Sequence, residues 1–332
     1  MSKKLVVSLS PHIHNGDTIQ SNMKGVLIAL IPALAVSLLY FGLADLYIIL
    51  TSVLSCIVLE FVINKYLFKS DRLTITDGSA ALTGLLLALN LPSGLPLWMV
   101  ILGAVFAIGV IKMSFGGLGN NLFNPALMGR VFLLISFPAQ MTTWPVNEWA
   151  SNAIDGASGA TPLGIMTGVL NHAPGVSLNQ LPSAWEMFIG TTGGSIGEMS
   201  ALALLLGLVY MIWKKVITWH IPITIIATAF IFAEILHLVN PIMYADGLSQ
   251  ILSGGLMLGA IFMATDYVTS PMSFKGQMVY GVAIGLLTII IRVWGAYPEG
   301  MSFAIIIMNG FTPLINTYIR PTLFSSLSKK VG

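Results

Sequence analysis

The sequence predicts an all-α integral membrane protein with about ten transmembrane helices, arranged as a 5+5 inverted repeat that contains broken helices. Three observations lead to this fold class. Of the 332 residues, 56% are hydrophobic and only 8% are charged, against about 25% charged residues in an ordinary soluble domain. Apolar segments long enough to cross a bilayer follow one another along the chain. Two short motifs of the first half also return, in the same order, in the second half.

Ten apolar segments match the length of a transmembrane helix, taken as about 20 residues. They group into a first five-helix repeat at 24–139 and a second at 197–319. The remaining parts are an N-terminal segment at 1–23, a long loop at 140–196 and a tail at 320–332. The ten segments are 24–43, 46–67, 77–93, 97–115, 122–139, 197–213, 218–238, 247–265, 277–294 and 301–319.

The positive residues predict the orientation of these helices, because Lys and Arg favour the cytoplasmic side of short loops. With the N-terminus inside, only Arg130 and Arg292 fall outside cytoplasmic segments or cytoplasmic helix ends. The loop 140–196 contains no Lys or Arg. We therefore expect a multi-pass protein of the bacterial inner (cytoplasmic) membrane, with both termini cytoplasmic and the long loop extracytoplasmic.

The internal repeat depends on two motif pairs. NLFNP at 121–125 returns as NGFTP at 309–313, and SAAL at 79–82 returns as SGGL at 253–256. Because each unit has an odd number of spans, the second unit inserts upside down relative to the first. Pro and Gly in these pieces free backbone groups, which a membrane tolerates only where they are buried in protein or line a cavity. Broken helices near the midplane are therefore expected to form the functional centre.

Charge and cysteine content exclude several function classes. The net charge of +2, with basic residues scattered singly or in pairs, does not suit a nucleic-acid partner. The single cysteine, Cys56, allows no internal disulfide and no iron–sulfur or zinc site built on several thiolates. The five histidines are dispersed, so we predict no metal site.

The long loop contains the stretch DGASGATPL at 155–163, in which small residues surround Thr161. A threonine flanked by Gly and Ala on a flexible turn can enter the active site of a modifying enzyme, and its hydroxyl can be joined to a phosphate. Asp155 could orient or deprotonate that hydroxyl. The alternative is a turn-forming Asp before Gly156.

Part of this stretch resembles a known flavin-attachment motif. Ser158, Gly159, Ala160 and Thr161 are similar to the SGAT sequence on which flavin transferases join FMN to threonine through a phosphoester. The motif occurs in the D subunit of Rnf-type electron-transport complexes and in the B subunit of the sodium-translocating NADH:quinone reductase. The resemblance to these two families spans nearly the whole chain, through SPH at 10–12, TDGSA at 76–80, GGLGNNLFNP at 116–125 and ATDY at 264–267.

The resemblance favours the Rnf D subunit, since the quinone-reductase subunit usually has a longer N-terminal extension. It implies a covalent FMN on Thr161 at the outer face and a second, non-covalent flavin (riboflavin), for which no residue here gives a position. It also implies a redox-driven ion translocase, in which electron transfer between ferredoxin and NAD moves Na+ or H+. The chain would not be catalytic alone. Expected partners are flavin-bearing G-type, membrane A/E-type and iron–sulfur B/C-type subunits, a flavin transferase and the lipid bilayer.

Ionisable residues in membrane segments are candidate stations of an ion or proton pathway: Glu60, Asp77, Asp266 and Arg130. At the centre of a helix a charge such as that of Arg130 costs roughly 2.5–3.5 kcal/mol on insertion scales unless it snorkels or pairs. We expect Arg130 to pair with an acid such as Glu60 or Asp77, or to face a flavin phosphate or ring oxygen. For the carboxylates, the alternative is a position at a wet helix end.

Two other functions stay open at this point. The quinone-reductase B subunit would keep the flavin but reduce quinone. A secondary transporter or channel would explain ten spans, inverted repeats and broken helices equally well.

Overall fold

The computed structural model describes residues 18–69, 74–144, 161–190 and 193–320, and every regular element within these ranges is helical. The helices of the first half are α1 (Ile19–Ala29), α2 (Ile31–Phe41), α3 (Leu43–Val62), α4 (Ser79–Leu89), α5 (Leu97–Ala104), α6 (Pro125–Ser136) and α7 (Pro138–Met141). A π-helical turn, Ile63–Leu67, continues α3, and a π-helical segment, Val105–Met113, continues α5.

The rest of the described chain is helical in the same way. Its helices are α8 (Pro162–Leu170), α9 (Ala184–Ile189), α10 (Ala201–Trp213), α11 (His220–Val239), α12 (Gly247–Leu252), α13 (Leu256–Leu258), α14 (Phe274–Trp294) and α15 (Met301–Tyr318). A π-helical segment, Gly259–Met263, continues α13, and short 3-10 turns lie at Thr74–Asp77 and Leu178–Gln180.

Among the described residues, four helical stretches are long and apolar enough to cross a membrane by length and composition. They are Ile19–Phe41, Leu43–Leu67, His220–Val239 and Phe274–Trp294. Shorter apolar helices lie at the positions of other predicted segments, among them Leu97–Met113 and Ala201–Trp213. These helices, with the composition, make the chain a multi-pass membrane protein built from helices.

Several of the helices are too short to span a bilayer alone. Helix α4 has 11 residues and α6 has 12, which gives each a length of about 17–18 Å at 1.5 Å per residue, against about 30 Å of hydrocarbon. The stretch around α12 and α13 is interrupted at 253–255. The Pro and Gly pattern predicts interruptions of this kind, and the structure contains short apolar helices among the described residues.

The polar backbone groups at one of these breaks are paired inside the protein. At the end of α4 and just after it, the carbonyls of Leu89 and Leu91 accept hydrogen bonds from the amides of Gly197 (2.7 Å) and Ile196 (3.2 Å). The break in the first half is therefore closed by the chain that leads into α10. This pairing meets the requirement that irregular backbone at membrane depth be satisfied by protein.

Helix α6 begins at a strong N-terminal cap and connects the two halves. The side chain of Asn124 accepts from the amide of Ala126 at 3.1 Å, and Pro125 occupies the first helical position. The side-chain amide of the same asparagine donates to the Met263 carbonyl at 3.2 Å, on the π-helical segment of the second half. This cap fixes α6 against the other half of the chain.

The two repeated motifs have different outcomes. SAAL at 79–82 begins α4, and SGGL at 253–256 leads into α13, so both stand at a break before an apolar helix. NLFNP at 121–125 precedes α6, whereas NGFTP at 309–313 lies inside α15, with Pro313 in the helix interior. Thus only the SAAL and SGGL pair has equivalent structural settings.

Candidate functional site

A cavity of about 290 Å³ lies at the C-terminal end of α6 and beside the start of α8. That volume is close to the lower end of the roughly 300–1,000 Å³ range of small-molecule sites. Its walls combine apolar, aromatic, hydroxyl and charged side chains from distant parts of the sequence. The lining residues include Arg130, Leu134, Thr161, Thr167, Tyr297 and Glu299.

Thr161 reaches this cavity as the N-cap of α8. Its hydroxyl oxygen accepts a hydrogen bond from the amide of Gly164 at 3.1 Å, and Pro162 occupies the first helical position. The side chain is half-buried. The threonine that the sequence motif singles out therefore stands at a helix N-terminus, where free amides and the helix dipole favour negative charge.

Arg130 lies at the bottom of the cavity with 4% of its side chain exposed. Its guanidinium makes a two-pronged ion pair with Glu299, in which Nη1 donates to Oε1 at 2.6 Å and Nη2 donates to Oε2. Nη1 also donates to the Ser302 hydroxyl. Nη2 lies 3.7 Å from Oε1 of Glu198. We call Arg130, Glu198, Glu299 and Ser302 the cavity cluster.

This pairing corrects the partner predicted for Arg130, which was Glu60 or Asp77. The acids that neutralise it stand just before α10 and α15. The predicted topology contained a usable signal, because it places Glu198 and Glu299 on the same side of the membrane as the C-terminal end of α6. Glu60 and Asp77 fall on the other side.

The cavity cluster keeps spare polar atoms. Within the described chain, Nε of Arg130 and Oε1 of Glu198 are buried without a hydrogen-bond partner. Both acids approach Gly255, since a Cβ built there would overlap Oε1 of Glu299 and lie 2.8 Å from Oε1 of Glu198. The second buried arginine, Arg292, donates instead to the main-chain carbonyls of Gln250 (2.6 Å) and Ser253 (2.9 Å).

A second buried ionic group lies near the N-terminal end of α6. Nζ of Lys112 donates to Oε2 of Glu60 and to the Ser79 hydroxyl, both at 2.7 Å. The lysine and glutamate side chains are 2% and 1% exposed. We call these three residues the closed pair. Glu60 is thus bound to a lysine of its own half, and its carboxylate is buried rather than at a wet helix end.

The other predicted pathway residues lie in or near the same end of the molecule. Asp77 is half-exposed, and its Oδ1 accepts from the Ser79 amide at 2.8 Å, next to the start of α4. Asp266 borders two small cavities of about 50 Å³ each, both of which are also lined by Asn124. Its Oδ2 accepts from the Thr269 hydroxyl at 3.0 Å.

The structure therefore separates the predicted site residues into two groups. Arg130 and Thr161 meet at one cavity, while Asp266 lies at the opposite end of α6, near Lys112 and Asn124. The remaining predicted residues of the loop motif, Asp155, Ser158, Gly159 and Ala160, fall outside the described residues.

Comparisons with known proteins agree on one family. The model of the NQR2, RnfD, RnfE family matches residues 6–325. The chain is 44% identical over 322 residues to the D subunit of the Na(+)-translocating ferredoxin:NAD(+) oxidoreductase complex of Acetobacterium woodii, covering 96% of this chain and 95% of the relative. It is 40% identical over 325 residues to the D subunit of the proton-translocating ferredoxin:NAD(+) oxidoreductase complex of Clostridium ljungdahlii, covering 96% of each.

A third relative is more distant and has a less specific name. The D subunit of the ion-translocating oxidoreductase complex of Stutzerimonas stutzeri is 38% identical over 322 residues, covering 91% of each chain. The three names differ in the ion that they state, although the similarity covers nearly the full length in each case.

Proposed function

The chain belongs to the NQR2, RnfD, RnfE family, and we propose that it is the D subunit of an Rnf-type complex. Such a complex transfers electrons between ferredoxin and NAD and translocates Na+ or H+. Similarity over nearly the whole length to subunits with these names supports this function. In this proposal the chain acts only together with partner subunits that carry the other cofactors.

The chain's own contribution is a covalently held FMN on Thr161. The observation that carries this assignment is the position of the Thr161 hydroxyl, which lies both on the cavity wall and at the N-terminus of α8. A phosphoryl group on Oγ1 would stand beside the Gly164 amide, which is 3.1 Å from that oxygen. The nine-residue helix would favour the anionic phosphoester through its dipole.

The cavity has walls that fit a flavin. Two aromatic side chains, Trp144 and Tyr297, can contact the faces or edges of a planar ring, and Arg130 supplies positive charge. When bound, FMN supplies the electron-carrying chemistry, and the protein supplies position and electrostatics. Attachment through Thr161 holds the group at one place in the chain, so each of these side chains can act on it persistently.

The ten-span inverted repeat belongs to the same proposal, and the helix contacts support it. In the first half α3 packs against α4 and α5, and α5 against α6; in the second half α11 packs against α12 and α14, and α14 against α15. Equivalent helices also meet across the halves, since α1 contacts α10 and α6 contacts α15. On this arrangement, with the basic residues inside, the loop that carries Thr161 faces the outside.

The test is direct detection of the flavin. The full chain is produced together with a flavin transferase, purified, denatured and run on a gel. We expect in-gel flavin fluorescence and an intact mass raised by one FMN less one water. Thr161→Asn should abolish both signals, because asparagine keeps the helix cap but has no hydroxyl to esterify.

A neighbouring threonine provides the matched control. Thr167 lines the same cavity and lies on the same helix, so Thr167→Ala should retain the fluorescence and the added mass. A wild-type chain without bound flavin would contradict the proposal. Flavin that persists in Thr161→Asn would contradict the attachment site.

A further inference from the structure

The wall of the cavity contains a guanidinium whose position is fixed by an ion pair. Arg130 comes from α6 and is held by partners from two other segments, Glu299 with two hydrogen bonds and Glu198 at 3.7 Å. Nη1 of Arg130 also donates a hydrogen bond to the Ser302 hydroxyl. A guanidinium restrained in this way cannot easily turn toward solvent, so its distance from a neighbouring group is set by the fold.

The same charge borders the attachment residue. Arg130, Glu299 and Thr161 all line the one cavity. In contrast, Lys112 is absent from its lining and binds its partners near the other end of α6. Arg292 is also absent from the lining and donates to main-chain carbonyls, although its charge acts on Glu198. Among the lining residues, one positive and one negative side chain therefore border a group anchored at Thr161.

We infer that Arg130 is the residue that sets the redox potential of the flavin on Thr161, and that Glu299 opposes it. This inference rests on the proposed function. Reduction adds negative charge to a flavin, so a nearby guanidinium stabilises the reduced form and a nearby carboxylate destabilises it. Glu299 and Glu198 also hold the guanidinium in place and offset its cost of burial.

The experiment uses the purified full chain with its covalent flavin and measures the midpoint potential by spectroelectrochemical titration. Arg130→Gln should lower the potential, and Glu299→Gln should raise it. Removal of one unit charge at short range should change the ratio of oxidised to reduced flavin at a fixed potential by about tenfold, which corresponds to about 59 mV for a one-electron step. Lys112→Gln is the control, because it removes an equally buried cation near the opposite end of α6, and should change the ratio by less than about threefold.

Two further variants distinguish an effect of charge on the potential from an effect of misfolding. Arg130→Lys keeps the charge, so it should keep the potential near the wild-type value although it loses the two-pronged geometry. The double variant Arg130→Gln/Glu299→Gln removes one charge of each sign and keeps the Glu198 carboxylate, so it should have a potential between those of the two single variants.

The outcomes separate this inference from the proposed function. A wild-type chain without flavin would overturn both. If the flavin is present on Thr161, but Arg130→Gln and Glu299→Gln shift the potential in the same direction or no more than Lys112→Gln, the inference is wrong and the proposed function stands.

Discussion

Two buried ionic groups, the closed pair and the cavity cluster, lie near opposite ends of α6. They differ in how completely their polar atoms are hydrogen-bonded. In the closed pair, one lysine joins one glutamate and one serine hydroxyl within the first half of the chain, both at 2.7 Å. In the cavity cluster, one arginine is shared by acids that stand before α10 and α15. The cavity cluster borders a cavity of about 290 Å³, whereas Lys112 and Ser79 of the closed pair border one of about 50 Å³.

This difference indicates that the closed pair has a structural role and that the cavity cluster has a functional one. A buried ion pair with its partners in place gives a fixed structure, and its net contribution to stability can be small although breaking it costs a great deal. Spare buried polar atoms beside a cavity, such as Nε of Arg130 and Oε1 of Glu198 in the described chain, are unusual and call for a functional explanation. Glu60 and Arg130 are both ionisable residues in predicted membrane segments, yet we assign a structural role to Glu60 and a functional role to Arg130.

The largest effect is expected when the closed pair is broken. Glu60→Ala would leave the Lys112 ammonium buried without its carboxylate, and such a loss destabilises a protein by about 3–5 kcal/mol. We expect a strongly lowered melting temperature in detergent, measured by fluorescence-detected size-exclusion chromatography. The double variant Glu60→Ala/Lys112→Met should recover much of that loss, because no charge remains uncompensated.

Glu234 is the matched control for this experiment, since it is a carboxylate in the corresponding long helix of the second half. Its Oε2 accepts from the Gly247 amide at 2.9 Å, so Glu234→Ala should cost about 1.5–3 kcal/mol, the value of one hydrogen bond to a charged group. An equal loss of stability for Glu60→Ala and Glu234→Ala would mean that the closed pair contributes no more than one ordinary hydrogen bond to a carboxylate.

A smaller effect is expected at Arg292, where the buried cation donates hydrogen bonds to the main chain and its charge acts on Glu198 without direct contact. Its guanidinium donates to the carbonyls of Gln250 and Ser253, at the break between α12 and α13. Arg292→Gln can replace one of these bonds and leaves about one buried carbonyl unpaired, a cost of about 1–3 kcal/mol. The melting temperature should fall less than in Glu60→Ala, and a fall of equal size would mean that the interaction of Arg292 with Glu198 stabilises the fold as much as a direct ion pair does.

The sequence predicted the class of the fold well because that class follows from local properties. Apolar length and the scarcity of charge are enough to identify helices in a membrane. Pro and Gly inside apolar segments predicted broken helices, and α4 and α6 are short in the structure. The NGFTP motif was expected to mark a broken helix like NLFNP, but Pro313 lies inside α15. A five-residue pattern does not determine whether a helix starts or continues there.

The site was predictable only in part. Thr161 was singled out by its motif, and the need of Arg130 for an acid followed from the cost of a charge in a membrane. The identity of that acid did not follow, because Arg130 and Glu299 are 169 residues apart and meet only through the packing of α6 against α15. The cavity that joins Arg130 to Thr161 is likewise a product of tertiary packing.

The smallest effect on stability is expected from an added methyl group at Gly255. The backbone there has a φ of −73°, which alanine adopts readily. The atoms nearest to a new Cβ are the carboxylate ends of Glu299 and Glu198, the second of them at 2.8 Å, and flexible side-chain ends can move aside. Gly255→Ala should therefore lower stability by less than about 1 kcal/mol, since overpacking is costly mainly where neighbours cannot shift.

Gly84, on α4 beyond the closed pair, gives the contrasting control. A Cβ at this position would lie 2.7 Å from Cα of Val53 and 2.9 Å from the Ser52 carbonyl oxygen, and the main chain of α3 has little freedom to move. Gly84→Ala should cost about 1–3 kcal/mol, the usual range for overpacking, and leave the flavin signal unchanged. Gly255→Ala should do the reverse, with a melting temperature near that of the wild type and an altered flavin absorbance spectrum, because the displaced acids carry Arg130 with them. If the two glycine variants change the same property, the two ionic groups do not differ in the way that their contacts indicate.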